Sequence, residues 1–484
     1  MRGLRLQLPN MSELLPSKPI DDDCDVAIIG GGAAGVLAAL HLLHQADGPL
    51  RLQLIESQPA LAQGVAYATP RAEHLLNVPV GRMSAFANAP EDFLDWLQHQ
   101  ALYPELTRDA LAQAYVQRRH YAVYLRTRLT QAQATRPARL QWRQARVLAM
   151  QPDAAGGHML HLHDARQLRA GATVLALGNS LRPLPARGAA SLSESMRVEA
   201  WNYPQLCEIP REATVCIVGS GLSMADSVLT LLSNAHRGLV HVVSRHALLP
   251  LPHAAHGTPA EFDPQALLAL SLRQRLRALR GYAAAAQAHG HPWQSVMDRV
   301  RPFGQALWQS LSATEQRRFL RHTVRYWDVH RHRVAEPVYA QLQEIHRSGQ
   351  LRVHRARLES VSAVDTCVQV NGMGADGVPL QLQAHCVINA TGVELRVQTI
   401  RNPLLHQLLG SGHAQQGPHG IGLATGADGA LLDANGRADP RIRVLGSLRI
   451  GSLWESLAIP ELRMQAQATA QALLSLELPL ARIS

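Results

Sequence analysis

The chain has 484 residues, 46% of them hydrophobic, so it is too large for a single core and too apolar to be disordered. Its formal charge is +10, but Lys18 is the only lysine, no five like charges follow one another, and aromatic residues make up 4%. Dispersed arginine with few aromatic side chains predicts no nucleic-acid surface, whereas a site for a small anion stays open.

The five cysteines are widely spaced and contain no C-x-x-C pair, which argues against a disulfide framework, a zinc site and a redox-active disulfide. No secretory signal and no run of 18 apolar residues is visible, so we predict a cytoplasmic protein without a membrane span. Residues 1–21 are predicted to be a flexible tail. His330 and His332 form an H-x-H pair without a third ligand, so no metal is expected. The oligomeric state is left open.

The first structured segment predicts a strand, a glycine turn and a helix. An apolar strand at 26–29 leads into Gly30, Gly32 and Gly35, which have the spacing G-x-G-x-x-G, and the next strand ends in Glu56. Such glycines permit a tight turn, a close approach of a pyrophosphate, and close packing of helix on strand. The helix N-terminus attracts phosphate, and the acid can accept hydrogen bonds from a ribose. The segment therefore predicts a dinucleotide site.

A second unit repeats the order of strand, turn, helix and strand. Gly219 and Gly221 form its turn, but Met224 occupies the third glycine position. Its second strand ends in Ser244 and Arg245 instead of an acid. A basic residue there can bind the 2′-phosphate of NADPH, or it can stack on the adenine of NADH, and both readings stay open.

Each unit continues into a strand-rich meander that ends in an A-x-G motif, so the chain carries an internal duplication with one nucleotide in each copy. We predict an α/β fold with two dinucleotide-binding domains. A Rossmann-like FAD domain comprises residues 22–205 and 389–484, and an NAD(P)H domain at 206–388 is inserted into it. Residues from about 262 to 348 show helical periodicity and form a helical segment of the inserted domain.

Several motifs of the chain extend beyond generic nucleotide turns. The more specific ones are the segment 63–86, which reads QGVAYATPRAEHLLNVPVGRMSAF, and GSLWESLAIPELR at 451–463, with RYWDVHRHR at 325–333 between them. With these motifs the sequence resembles a bacterial flavoprotein family that includes FAD-dependent urate hydroxylases and aspartate N-monooxygenases that form nitrosuccinate. The resemblance covers residues 24 to 475. Gln117 departs from it, since a proline is expected before Arg118.

The resemblance implies roles for individual residues. The residues implied for FAD are Gly30, Gly32, Gly35, Glu56, Tyr67, Met83, Arg118, Gly446, Gly451, Trp454 and Glu455. Those implied for the nicotinamide nucleotide are Gly219, Gly221, Ser244 and Arg245. The catalytic candidates are His74 and Asn77 beside the flavin ring, and Arg331 and Arg333 as a clamp for an anion. For Tyr67, Met83 and His74, an ordinary place in the core is the alternative.

These features together favour a flavin-dependent monooxygenase that takes hydride from NAD(P)H and then reacts with O₂. The resemblance implies hydroxylation of urate to 5-hydroxyisourate in purine catabolism, through a flavin C4a-hydroperoxide. N-oxygenation of an amino acid of the aspartate type is one alternative. An NAD(P)H oxidase or reductase without oxygen insertion is another. In the first two cases the partners are a small anionic substrate and O₂.

Overall fold

The computed structural model describes residues 20–154, 156–254 and 260–477, which fold into two sheets with helices around them. The strands of the first sheet are β1 (Ile20–Ile29), β2 (Arg51–Glu56), β3 (Arg139–Gln144), β4 (Val147–Pro152), β5 (His158–Leu162) and β6 (Gln167–Leu175). The second sheet contains β7 (Arg197–Glu199), β8 (Val215–Val218), β9 (Val240–Ser244), β10 (Leu351–Val364), β11 (Cys367–Gly374), β12 (Pro379–Ala384) and β13 (Cys386–Asn389). The chain then returns to the first sheet with β14 (Ala430–Leu432) and β15 (Ala438–Val444).

The helices lie between and after these strands. In the first part of the chain they are α1 (Ala33–Gln45), α2 (Asp92–His99), α3 (Arg108–Gln113), α4 (Arg118–Thr135), α5 (Tyr203–Cys207) and α6 (Leu222–Ser233). The helical segment contains α7 (Leu272–Ala288), α8 (Gln294–Val300), α9 (Gly304–Gln309), α10 (Ala313–Arg318), α11 (Val324–Arg331) and α12 (Glu336–Arg347). The last three are α13 (Pro403–Gly410), α14 (Ile450–Leu453) and α15 (Ile459–Leu474).

The first sheet has the strand order β14-β15-β6-β1-β2-β3, and β1 lies parallel to both β2 and β6. Side chains alternate across β1, so that Val26 and Ile28 pack toward α1, α4 and α15, while Ala27 and Ile29 pack toward α13. A parallel sheet covered on both faces needs apolar strands, as the sequence of β1 shows. This arrangement confirms the predicted α/β class.

The second sheet has the strand order β12-β11-β10-β9-β8-β13-β7, with parallel pairs from β10 to β7. The sequence placed the boundary between the two domains at 205 and 206, but β7 at Arg197–Glu199 pairs with β13 in the second sheet. The chain therefore crosses to the second unit before Arg197, because a three-residue strand carries too weak a pattern to reveal which sheet it joins.

Two further expectations concern the N-terminal tail and the absence of a membrane span. The predicted tail was residues 1–21, yet β1 already begins at Ile20 and pairs with Gln167; residues 1–19 lie outside the described part. Within the described ranges, no helix combines the length and apolar character that a membrane crossing requires.

Candidate functional site

The first glycine turn is fixed by its backbone. Gly30 has a φ of +105°, and its N–H donates to the carbonyl of Ile55 at 2.8 Å. A Cβ on Gly30 would lie 2.2 Å from the carbonyl oxygen of Ala176, and one on Gly35 would lie 1.8 Å from the oxygen of Gly30. Both positions therefore exclude any side chain, as the fingerprint spacing predicts.

The second glycine of the fingerprint, Gly32, leaves open space instead. It is the N-cap of α1, no side chain caps the helix there, and the nearest atom to a built Cβ is the Cα of Gly64 at 3.5 Å. The free N–H groups of the first helical turn thus face a backbone-lined gap, which is the environment that a diphosphate needs. The site fits the diphosphate of FAD.

Glu56 braces the same turn. Its Oε2 accepts a hydrogen bond from the N–H of Gly31 at 2.6 Å, and its Oε1 accepts from the N–H of Gln58 at 2.8 Å. Oε1 also accepts from the hydroxyl of Ser57 at 3.2 Å, while Oε2 keeps a lone pair that can accept from a ribose hydroxyl. Glu56 therefore lies where the predicted role requires it, at the end of β2 and beside the glycine turn.

The second glycine turn has the same backbone conformation and hydrogen bond as the first. Gly219 has a φ of +108°, and its N–H donates to the carbonyl of Val243 at 2.9 Å. A Cβ there would lie 2.2 Å from the oxygen of Ala390, whereas a Cβ on Gly221, the N-cap of α6, would meet no atom within 4 Å. The two turns are thus equivalent in the two units, and both leave a helix N-terminus uncapped.

The residues after β9 provide positive charge near the second turn. The hydroxyl of Ser244 accepts from the hydroxyl of Ser220 at 3.0 Å and from the N–H of Ala247 at 2.9 Å. Arg245 is exposed, and its charge adds to the burial that lowers the pKa of Arg182. Two guanidinium groups therefore share this region, which favours an anionic group such as a 2′-phosphate.

His74 does not have the catalytic environment that the sequence suggested. It is fully buried, with Nδ1 2.7 Å from the hydroxyl of Thr69 and Nε2 3.1 Å from the carbonyl of Asp226 and 3.0 Å from the hydroxyl of Thr230. Burial lowers its pKa, so the ring is neutral near pH 7. Both nitrogens already have partners, and His74 is a structural contact to α6.

Arg118 also differs from its expected role beside the flavin pyrophosphate. Its Nη1 and Nη2 donate to the two carboxylate oxygens of Asp226 at 2.6 and 3.0 Å, and its Nε donates to the carbonyl of Leu75 at 2.8 Å. The guanidinium is therefore engaged with α6 of the second unit. The sequence could not reveal this partner, which lies 108 residues away.

The other residues predicted beside the flavin ring divide into core and backbone contacts. Met83 is 1% exposed and belongs to the apolar core around α1, so the core alternative applies to it. Tyr67 packs its ring on Tyr121 with centroids 4.9 Å apart, and burial raises its pKa. Asn77 contributes its carbonyl, which accepts from Nε2 of His253 at 3.1 Å. The segment 63–86 is thus held by the first core and by the second unit.

Arg331 is not available as an anion clamp. Its Nε lies 3.0 and 2.9 Å from the two carboxylate oxygens of Glu455, and its Nη2 lies 2.6 Å from Oε2. The two side chains are only 10% and 8% exposed. This pair joins the end of α11 to the segment between α14 and α15, so both residues are engaged with one another instead of with a ligand.

Arg333 remains the candidate for an anion. Its side chain is 5% exposed, pairs with Asp298 and lies over the ring of Trp293. In the part of the chain that the structure describes, its Nε and Nη1 have no hydrogen-bond partner. A buried guanidinium with two unused donors is costly unless an acceptor reaches it, so Arg333 is the better candidate of the two arginines for contact with an anion.

His332 lies between these two arginines in the sequence and forms the H-x-H pair with His330. The residue is exposed, yet the surrounding protein and the charge of Arg331 lower the pKa of its imidazole. Asp328 lies nearby, and burial raises the pKa of its carboxyl. No group of three possible metal ligands occurs in the described ranges. His332 is therefore a candidate for proton transfer.

The segment before α15 is braced by the helical segment. Trp454 has a φ of 60°, a conformation that bulky side chains rarely adopt, and it stacks on Trp308 with centroids 5.0 Å apart. The indole N–H of Trp308 donates to the carbonyl of Gly451 at 3.0 Å. Gly446 has a φ of +74°, which favours glycine. Strain of this kind persists only where the surroundings impose it.

Comparison with known proteins agrees with this architecture. Residues 27–180 match a protein-family model described as FAD-NAD(P)-binding, while no curated protein matches the sequence. The reduced ornithine hydroxylase of Pseudomonas aeruginosa is 18% identical, with 93% of this chain and 98% of that chain covered and a TM-score of 0.63. The ornithine N-hydroxylase of Kutzneria sp. 744 is 15% identical (93% and 99%, TM-score 0.64). The L-lysine 6-monooxygenase of Pseudomonas syringae is 17% identical (93% and 99%, TM-score 0.63).

These likenesses extend over nearly the whole chain and concern the fold. The matched residues 27–180 contain the first glycine turn, Glu56 and the strands of the first sheet up to β6. The first unit is therefore an FAD/NAD(P)-binding domain, and the predicted cofactor class is confirmed.

Proposed function

We propose that the protein is an FAD-dependent, NADPH-consuming monooxygenase that oxygenates the amino group of a small substrate. The observation that carries the proposal is the pair of equivalent glycine turns at Gly30 and Gly219, each opening onto an uncapped helix N-terminus. The solved ornithine and lysine hydroxylases with this fold act on amines, and the proposal extends that chemistry to this chain.

The residues that would hold the two nucleotides follow from the turns. Gly30, Gly32 and Glu56 would hold the ADP half of FAD, and Gly221 with Arg245 would hold the nicotinamide nucleotide. When bound, FAD would supply the redox chemistry, because it accepts hydride from NADPH and, once reduced, reacts with O₂. The exposed charge of Arg245 favours NADPH over NADH, since a guanidinium can pair with the 2′-phosphate.

The helical segment would bind the substrate and accept a proton from it. An amine is nucleophilic only without its extra proton, so the substrate site needs a group that accepts that proton. His332 is neutral at pH 7 because its pKa is lowered, so it can accept that proton. Arg333 offers two unused donors to an anionic part of the substrate.

Two other activities that the sequence suggests are alternatives, and the experiment below distinguishes them from the first. Hydroxylation of urate rests on the resemblance alone, and no feature of the described residues favours a purine over an amine. An oxidase without oxygen insertion would use the same two nucleotide sites. The amine reading ranks first because each of the three solved proteins above is a hydroxylase or monooxygenase of an amine-bearing substrate.

The experiment measures NADPH and NADH oxidation by the purified protein under air, with ornithine, lysine, aspartate or urate added and H₂O₂ assayed in parallel. We expect one amino compound to accelerate oxidation and to yield an N-oxygenated product. Acceleration with urate, together with loss of its ultraviolet absorbance, would favour the urate reading. Stoichiometric H₂O₂ with every addition would favour an oxidase. A protein that binds no flavin would contradict all three.

A further inference from the structure

Helix α6 belongs to the second unit, yet one of its faces is bonded to the first. Asp226, Thr230 and Ser233 are spaced by four and three residues and therefore share a face. Asp226 is 7% exposed and Thr230 is fully buried. Polar side chains on a buried face need partners, and here the partners come from the FAD domain.

Several side-chain contacts cross between the units along this face, and the following three involve Asp226, Thr230 and Ser233. Asp226 forms the bidentate pair with Arg118, at 2.6 and 3.0 Å. Thr230 lies 3.0 Å from Nε2 of His74. Ser233 donates to the carboxylate of Glu73 at 2.7 Å. We call this set the α6 clamp. It runs the length of the helix from its second turn to its last residue.

On the side of the FAD domain the clamp ends in the segment 63–86. The Nε of Arg118 donates to the carbonyl of Leu75 at 2.8 Å, and its N–H donates to the carbonyl of His74 at 2.9 Å. The N–H of Leu76 donates to the carbonyl of Val116 at 2.8 Å. The start of α4, the segment around His74 and helix α6 therefore form one connected body.

The N-terminus of α6 has a different role, because Gly219 and Gly221 form the predicted nucleotide turn there. A rotation of the second unit would pull Asp226 from Arg118 and leave two charges with little solvent, since their side chains are 9% and 16% exposed. Such a separation is strongly unfavourable. The clamp therefore holds the turn of the second unit in one orientation relative to the first.

We propose that Arg118 and Asp226 are positioning residues that fix the nicotinamide-binding unit against the flavin-binding unit, and so set the rate of hydride transfer between the two nucleotides. This inference rests on the proposed function. Transfer requires the reacting atoms to approach within about 3.5 Å in the right alignment, and small misplacements reduce the rate steeply. Neither residue needs to contact a nucleotide for this effect.

The test compares wild-type holoenzyme with Asp226→Asn, which keeps the shape but removes the charge. Anaerobic mixing with NADPH measures flavin reduction at saturating nucleotide. We expect reduction at least tenfold slower, with unchanged FAD content and unchanged half-saturating NADPH. Arg118→Lys keeps the charge but loses the bidentate geometry, so it should slow flavin reduction less than Asp226→Asn does. If Asp226→Asn does not fold, Arg118→Lys alone tests whether the clamp affects the reduction rate.

The matched control is Asp92→Asn. Asp92 pairs with Arg128 inside the first unit, 2.8 Å away, with side chains 21% and 19% exposed. It should reduce stability without slowing hydride transfer. A wild-type reduction rate in both clamp variants, or equal slowing in Asp92→Asn, would overturn the proposal.

A second measurement separates this inference from the proposed function. Hydrogen exchange of the purified chain reports the clamp without any reaction. In Asp226→Asn, amides of residues 70–76 and 226–234 should exchange at least tenfold faster, while those of β1 and β8 should not change. Unchanged exchange at these sites would show that the clamp does not hold the units. Failure of the wild type to reduce its flavin with NADPH would instead contradict the proposed function.

Discussion

The guanidinium of Arg331 and the carboxylate of Glu455 meet in a bidentate pair, with Nη2 and Oε2 2.6 Å apart and both side chains at most 10% exposed. This contact ties the helical segment to the C-terminal part of the first unit. Residues 124 positions apart are thereby brought together at the segment that the resemblance places beside the flavin.

Breaking this pair should destabilise the protein. Glu455→Gln leaves Arg331 buried without a counter-charge, and removal of one partner of such a pair costs about 3–5 kcal/mol. Urea denaturation followed by circular dichroism measures the change. The control is Glu344→Gln, which breaks an exposed pair with Arg347 (73% and 68% exposed) and should cost less than about 1 kcal/mol. Equal effects in the two variants would contradict the buried character of the first pair.

The open position in the first turn predicts a variant that folds without its cofactor. Gly32→Leu has room for its Cβ, but the rest of the side chain must enter the gap before α1 where the diphosphate would lie. We expect a folded, colourless protein, checked by circular dichroism and by the flavin absorption bands. Gly48→Ala, at a position with no atom within 4 Å, should stay yellow. Full flavin content in Gly32→Leu would disprove the assignment of this turn.

Arg245 should decide between the two nicotinamide nucleotides. Loss of a charge-assisted contact to a phosphate costs about 1.5–3 kcal/mol, so Arg245→Ala should raise the KM for NADPH by roughly tenfold to a hundredfold. The KM for NADH should change little. Steady-state oxidation with each nucleotide measures both values, and Arg237→Ala, an exposed arginine paired with Glu212, is the control. A parallel rise for both nucleotides would favour stacking on the adenine.

His332 predicts a pH dependence of activity. The surrounding protein lowers its pKa, so the ring is neutral at pH 7 and gains a proton only at acid pH. Since a protonated ring cannot accept another proton, kcat/KM should fall on this acid side. His332→Gln should lower kcat/KM by about a hundredfold or more and lose that acid limb. A variant that keeps the wild-type pH profile would exclude His332 as the proton acceptor.

The local backbone features of this fold could be predicted from the sequence, because a glycine turn needs only nearby residues. Gly30 and Gly219 show the same positive φ and the same close carbonyl, as their shared spacing indicated. Even the departure at Met224 is accommodated, since this side chain is fully buried in the core of the second unit. A methionine replaces the missing close contact with apolar packing.

The roles of charged side chains could not be predicted in the same way, because their partners lie far along the chain. Arg331 and Arg333 are two residues apart and look equivalent in the sequence. Arg331 is paired with Glu455, whereas Arg333 keeps two donors without a partner among the described residues. His74 is predicted to be catalytic and Arg118 to bind FAD, yet both side chains contact α6. The sequence motifs indicate which residues matter, but their roles follow only from tertiary contacts.

The clamp on α6 has a consequence for nucleotide exchange. A second unit that cannot swing away leaves the spent nucleotide no exit through a parting of the two halves. If the clamp holds, the nucleotide would leave from the turn at Gly219 and Gly221, near the exposed guanidinium of Arg245. Departure of an anion from such a group becomes easier as salt screens the attraction. Ionic strength would then govern how long the oxidised nucleotide stays.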